Sequence, residues 1–179
     1  MRRRDGLPPA SATFALFVAA LTLLSAAGFD HVAQGQVSVQ LELVRTIALP
    51  NVSGRIDHLA VDVPHQRLFV AELGNGSVDR IDLSSGETRR IEGLKEPQGL
   101  VYLPDRDELV VASGGDGTVR FFDASSLEPV GSVSLGDDAD NVRVDPKTGQ
   151  VVVGYGSGAL AILDPARRAV VRTIVIHPQ

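Results

Sequence analysis

The sequence predicts an all-β protein built from about three copies of one four-stranded unit, and two observations lead to this prediction. Three aspartates, Asp82, Asp123 and Asp164, follow one another at a constant spacing of 41 residues. Each ends a segment that reads as two short strands joined by a glycine turn, as in residues 109–123. A period of about 40 residues with several short strands is typical of propeller blades. The predicted fold is therefore a β-propeller of four-stranded antiparallel blades.

Length and composition fit a folded protein and exclude several kinds of site. The chain has 179 residues, 44% of them hydrophobic, and no cysteine. Disulfides, thiolate metal sites and catalytic thiols are therefore excluded. The net charge of −5 gives no electrostatic reason to bind nucleic acid or an anionic membrane. We expect no nucleic-acid partner, and no membrane insertion once the N-terminal signal described next is removed.

Residues 1–27 have the pattern of an export signal. Arg2–Arg4 form the charged start, Phe14–Leu24 the apolar core, and Ser25–Ala27 a small-residue cleavage site. We expect a periplasmic or secreted protein, and the residues after the arginines favour the general secretory route over the twin-arginine route. An uncleaved anchor and a cut after Ala33 remain as alternatives. Residues 28–36 would then be a short mature N-terminal segment, and residues 37–179 the propeller blades.

The segment from Gln36 to Pro50 predicts a strand before the first complete repeat. Val37, Val39, Leu41 and Leu43 alternate with polar residues, which is typical of a half-buried strand. Its ending resembles the end of each later repeat. We therefore expect the chain to enter on the outermost strand of a blade.

Each repeat then contains the same four strands in the same order. The first strand ends at a proline turn, and glycines between the second and third strands supply the positive φ that a hairpin needs. Nearly continuous runs such as Val151–Val153 indicate strands buried on both faces. The predicted first and second strands are 59–63 and 68–71, 100–103 and 109–112, and 142–144 and 151–154.

The repeated aspartates predict turn chemistry and not catalysis. An aspartate at this position accepts hydrogen bonds from backbone amides two or three residues further on. One repeat differs at the third strand, because Arg80 occupies the position of Phe121 and Ile162. We expect either a less buried face there or a carboxylate partner for Arg80.

The number of repeats is smaller than a closed ring requires. Propellers close with four to eight blades, whereas this sequence has about three. His177–Gln179 also match Glu96–Gln98, which precede a new first strand. We expect a fragment of a longer protein, and self-association as the alternative if the chain is as short as it is written.

Residues 42–176 resemble the bacterial YVTN-type repeat proteins, the exported YncE-like seven-bladed propellers. The resemblance implies an exported propeller, with about four further blades if seven is the full count. The segments that carry it are Arg55–Asp62, Leu68–Ala71, Pro97–Gly99, Gly114–Val119, Asp137–Arg143 and Gly154–Leu160.

The residues just before each first strand predict a binding site. In a propeller these residues gather at one mouth of the central channel, where ligands most often bind. The carboxylates, Asn141 and His58 could hold a divalent cation, and we expect no other cofactor. The alternative is that the set only solvates a water-filled funnel. The candidate ligand-binding residues are Arg55, Asp57, His58, Glu96, Gln98, Asp138, Asp140 and Asn141.

These observations favour a binding scaffold for an unidentified protein or small molecule over an enzyme. No serine or cysteine lies near His58 in the sequence to form a nucleophile pair. The alternative is a metal-dependent lactonase or lyase, in which a metal at the mouth polarises a carbonyl. Asn141 and Asp145 could share that metal only if the strand bends, because four residues along a strand span about 13 Å. We expect Asp145 to cap the turn that follows it.

Overall fold

The computed structural model describes residues 41–176 as an all-β protein. Residues 41–44 belong to a separate unit, and the compact unit begins at Arg45. The predicted signal peptide, the segment 28–36 and the strand residues 37–40 lie outside the described residues. Within residues 41–176 no helix has the length and apolar character of a membrane span.

Twelve strands form three four-stranded antiparallel sheets, each following the order of the chain. Blade 1 contains β1 (Leu59–Asp62), β2 (Arg67–Glu72), β3 (Ser77–Asp82) and β4 (Thr88–Ile91). Blade 2 contains β5 (Pro97–Leu103), β6 (Glu108–Ser113), β7 (Thr118–Asp123) and β8 (Pro129–Ser134). Blade 3 contains β9 (Ala139–Val144), β10 (Val151–Tyr155), β11 (Ala159–Asp164) and β12 (Ala169–Val175). Two 3-10 turns, Leu73–Asn75 and Pro104–Arg106, complete the regular structure of these residues.

Blade 2 lies between the other two blades and is buried on both faces. Along β6, Leu109 and Val111 pack in the cluster shared with blade 1. Their neighbours Val110 and Ala112 pack in the cluster shared with blade 3. Successive side chains of a strand point to opposite faces, so one apolar run supplies both cores. The prediction of strands buried on both faces is confirmed here.

The first strands of consecutive blades lie side by side, as propeller geometry requires. β5 contacts β1 and β2 of blade 1, and β9 contacts β5 and β6 of blade 2. The approach of β5 to β9 depends on Gly99, since a Cβ there would lie 2.0 Å from the carbonyl oxygen of Asp140. The three first strands therefore form the inner layer of the described unit.

The repeated aspartates close the turns after the third strands, as predicted. Asp82 Oδ1 accepts hydrogen bonds from the amides of Ser84 and Ser85 at 2.9 and 2.8 Å. Asp123 and Asp164 accept the equivalent pairs from residues 125 and 126 and from residues 166 and 167. Asp145 likewise accepts from the Lys147 amide at 2.9 Å.

The strand predicted before the first repeat is wrong for residues 41–49. These residues have no regular secondary structure, and Leu41 is 95% exposed. A strand requires a neighbour for its backbone hydrogen bonds, and each described sheet already pairs four strands of its own. Arg45, the first residue of the compact unit, makes a side-chain contact instead, with its Nη1 donating to the Leu83 carbonyl at 2.9 Å.

Of the two alternatives expected at Arg80, the structure has the less buried face, since Phe121 at the same repeat position is fully buried and Arg80 is not. Arg80 is half-buried, and its Nη1 donates to the carbonyl oxygen of Ser125 at 2.6 Å. Arg89 donates to the same oxygen at 3.3 Å. The partner of Arg80 is therefore a backbone carbonyl on blade 2 and not a carboxylate, and the contact joins two blades.

Candidate functional site

The candidate residues lie where the chain enters each first strand, and the hairpins between second and third strands lie at the same end. Because β1 and β2 are antiparallel, the end of β2 is next to the start of β1. The amide of Asp57 donates to the Ala71 carbonyl, and the Ala71 amide donates to the His58 carbonyl, both at 2.9 Å. We call this end, formed by residues 55–58, 96–98 and 138–141 with the three hairpins, the mouth.

Three of the candidate residues line one cavity on blade 3. Asp138, Asp140 and Asn141 surround an open groove of about 240 Å³, with the β10–β11 hairpin as its opposite wall. The Gly156 amide donates to the Asp138 carbonyl at 3.1 Å and joins the two walls. Asp138 and Asn141 are exposed and Asp140 is half-buried. The groove therefore presents oxygen atoms to solvent at the start of β9.

Gln98 connects this groove to blade 2. Its Nε2 donates to Asp138 Oδ1 at 3.3 Å, across the boundary between the two blades. The contact needs Gly114, because a Cβ there would lie 2.0 Å from Gln98 Nε2 and 2.9 Å from Asp138 Oδ1. A glycine at the end of β6 thus leaves room for the only side chain bridge between blades that the described mouth residues make.

The candidate residues of blade 1 form a separate group. Arg55 Nη2 donates to Asp57 Oδ2 at 2.7 Å. His58 Nδ1 lies 3.0 Å from Asp57 Oδ1, yet this approach lacks hydrogen-bond geometry, and no described residue bonds to the buried Nδ1. No hydrogen bond or ion pair between described residues joins this group to Asp138. The eight residues therefore share one end of the blades without forming one cluster.

Glu96 lines a further cavity of about 430 Å³, located between the first hairpin and blade 2. The residue is exposed and has a φ of 52°, in the left-handed region. Its carbonyl accepts the Gly114 amide at 3.0 Å, which fixes the turn before β5. Leu73–Gly76 form the other wall of this cavity.

The groove on blade 3 is acidic, which determines the ligands that it suits. Its lining includes two carboxylates and the Asn141 amide, and no basic side chain belongs to the lining residues. Such oxygen atoms suit amines, hydrogen-bond donors and hard cations. Among residues 41–176, however, no three histidine, aspartate or glutamate side chains converge closely enough to hold a metal ion.

Sequence reasoning missed the contribution of the hairpins. Tyr155 and the glycines beside it line the same groove as Asp138, although the sequence suggested only a tight turn there. The sequence contained enough information to place the hairpins at the mouth. In an antiparallel blade, the hairpin after the second strand must lie beside the start of the first strand. Applying that rule to all three repeats would have placed residues 73–76, 114–117 and 155–158 at the mouth.

Comparisons with known proteins support the architecture. No family model matches the sequence, and no curated protein matches it. Among solved structures, hydrazine synthase from Kuenenia stuttgartiensis is similar, with a TM-score of 0.64 and 18% sequence identity. The match covers 75% of this chain and 39% of that chain. At this identity the likeness shows a shared fold alone, and the three four-stranded sheets are blades of a β-propeller-like fold.

Proposed function

We propose that the chain is part of an exported β-propeller of the YncE-like, YVTN-repeat kind that acts as a binding scaffold in the cell envelope. The observation that carries the proposal is the groove in which Asp138, Asp140 and Asn141 meet Tyr155 at the mouth. The groove is open to solvent, and the Gln98 bridge fixes it to blade 2. The ligand is a protein or a small molecule that presents hydrogen-bond donors or positive charge to this surface.

Site-specific photo-crosslinking in the envelope of the native host tests this proposal. Asn141 is replaced by p-benzoylphenylalanine in one variant, and Lys147 in the matched control. Both residues are exposed; Asn141 lies in the first half of β9, at the mouth, and Lys147 lies in the turn that follows the other end of this strand. We expect an adduct of defined mass from position 141 and none from position 147. Equal adducts at the two positions, or none at position 141, would contradict binding at the mouth.

The export part of the proposal rests on the predicted signal in residues 1–27. Its test is the intact mass and N-terminal sequence of the protein recovered from the periplasm or the medium. We expect a mature chain that starts at Gly28. A chain that still begins at Met1 and remains with the cells would contradict export.

A metal-dependent lactonase or lyase is the second candidate function. The observation that favours it is that two carboxylates, Asp138 and Asp140, and the Asn141 amide line the groove on blade 3. A bound ion stabilises the native state by mass action, so calcium or zinc would raise the melting temperature of the protein. Under this candidate the rise disappears when Asp138 and Asp140 are replaced by asparagine. An unchanged melting temperature in the unsubstituted protein would exclude a metal-dependent site.

A further inference from the structure

The face of blade 1 that points away from blade 2, here called the back face, contains buried charges that the mouth does not use. Phe69 and Ala71 pack toward blade 2, so the alternate residue Glu72 points to the back face. Asp79 on β3 pairs with Val70 on one side and with Arg90 of β4 on the other. Glu72 and Asp79 are both fully buried, with 0% exposure.

The contacts of the two carboxyl groups are unequal. Arg90 donates to both oxygens of Asp79, from Nε at 2.6 Å and from Nη2 at 2.7 Å. Glu72 Oε2 accepts a hydrogen bond from the Ser77 hydroxyl at 2.5 Å and lies 3.7 Å from Arg90 Nε. Glu72 Oε1 is buried, and no group of the described residues bonds to it.

The charges of this cluster do not balance if both acids are ionised. Two carboxylates would share one guanidinium, and the exposed Glu92 adds negative charge near Arg90 from the end of β4. Burying an uncompensated charge is costly, and the usual outcome is neutralisation of the group. Burial raises the pKa of Glu72, and the Asp79 carboxyl adds to the rise, while the Ser77 hydrogen bond opposes it.

Arg90 also holds the segment that precedes β1. Its Nη2 donates to the carbonyl oxygen of Pro50 at 3.2 Å, in addition to its bonds with Asp79. This segment contacts Arg90 through a backbone carbonyl and not through a charged side chain. Any movement of Arg90 toward Glu72 would therefore weaken the attachment of Pro50.

We propose that the folded protein keeps one proton on Glu72, and that release of this proton draws Arg90 toward Glu72 and away from Pro50. The proton passes from the Glu72 carboxyl group to water and leaves a carboxylate, and no other covalent bond changes. Arg90 then faces two carboxylates. The cluster acts as a pH-sensitive latch between blade 1 and the segment that enters it.

Linkage gives the sign of the effect. The folded protein binds one proton more than the unfolded chain over the range between the unfolded and folded pKa values of Glu72. Stability therefore falls as pH rises through that range. Glu72→Gln has no proton to lose, so this part of the pH dependence is absent from the variant.

Urea unfolding between about pH 4 and about pH 9 tests the latch. We expect the urea concentration at the unfolding midpoint to be higher for Glu72→Gln than for the unsubstituted protein, and we expect this difference to grow as pH rises. The matched control Glu128→Gln removes the same charge from an exposed position in blade 2 and should leave the pH profile unchanged. Midpoints of Glu72→Gln and the unsubstituted protein that stay parallel over the whole range would overturn the proposal.

Two direct measurements separate the latch from a general change in stability. Between the unfolded and folded pKa values of Glu72, infrared spectroscopy should show a protonated carboxylic acid in the unsubstituted protein that is absent from Glu72→Gln. Hydrogen exchange, corrected for its intrinsic dependence on pH, should rise with pH in the unsubstituted protein alone at the amides of Asp57 and Gly74, which bond between the entering segment and blade 1. The absence of the acid band, or identical exchange in the two proteins, would overturn the proposal.

Discussion

Arg67 is the residue that joins blade 1 to blade 2 most extensively. Its guanidinium donates to Asp62 at 2.7 Å, to the Ser125 hydroxyl at 3.0 Å, and to Asp107 and Tyr102 of blade 2. Burial raises the pKa of Tyr102 to about 12. Burial opposes ionisation of Asp107 as well, yet hydrogen bonds from Arg67, Ser125 and Tyr102 lower the pKa of this carboxyl to about 2.

Replacement of Arg67 should therefore destabilise the protein strongly. Arg67→Met leaves the buried Asp62 carboxylate without its cation, and breaking a buried pair costs about 3 kcal/mol or more. Arg167→Met is the matched control, because Arg167 is 79% exposed and lies 3.6 Å from its partner Asp164. We expect this surface change to cost less than about 0.5 kcal/mol in urea unfolding. Equal losses in the free energy of unfolding would show that the Arg67 network stabilises the protein no more than an exposed ion pair does.

The turn aspartates predict a specific response to acid. Hydrogen bonds from the Ser84 hydroxyl and the Ser85 amide lower the pKa of Asp82 to about 2. The lowered pKa means that the carboxylate stabilises the fold above its ordinary value of 3.8 and loses this contribution as pH falls toward about 2. In urea unfolding, the loss in free energy of unfolding caused by Asp82→Asn should become smaller as pH falls from 3.8 toward about 2. The same substitution at the exposed Asp105 should show no such dependence on pH. A loss at Asp82 that is independent of pH would contradict this account of the turn.

At the scale of the element, the strands of the three blades were predictable from the sequence. The absence of a strand in residues 41–49 was not. The third strands end at Asp82, Asp123 and Asp164 as predicted, because turn chemistry is local. The segment 41–49 has the alternation of a strand and forms none. Alternation indicates which side would be buried, whereas pairing depends on a neighbouring strand that local sequence does not specify.

Equivalent positions in different blades should respond differently to the same change. Phe121 is fully buried between blades 2 and 3, whereas Ile162, at the same repeat position, is half-buried. Phe121→Ala should cost about 3 to 5 kcal/mol in urea unfolding. Ile162→Ala should cost much less, because part of its side chain already contacts water. A comparable loss at both positions would indicate that the outer face of blade 3 is covered in solution.

At the scale of the whole molecule, the repeat period predicted the blades and the end at which the candidate residues gather. It did not predict how they group there, since Gln98 and Asp138 meet only because glycines allow two blades to approach closely. The Glu72 and Asp79 cluster was also not predicted. Its burial depends on packing between separate segments, and nothing in the repeat pattern distinguishes these acids from exposed ones.

The central claim is that propeller geometry brings the starts of successive first strands together at one mouth. Thiol cross-linking tests it directly, because the chain contains no cysteine. Gln98→Cys combined with Asp138→Cys should be joined readily by a short bismaleimide, which restores the reach of the lost glutamine side chain, since Gln98 Nε2 and Asp138 Oδ1 are 3.3 Å apart. Gln98→Cys combined with Lys147→Cys, in the turn that follows β9, should not cross-link. Equal cross-linking of the two pairs, or none of the first pair, would contradict the mouth as described.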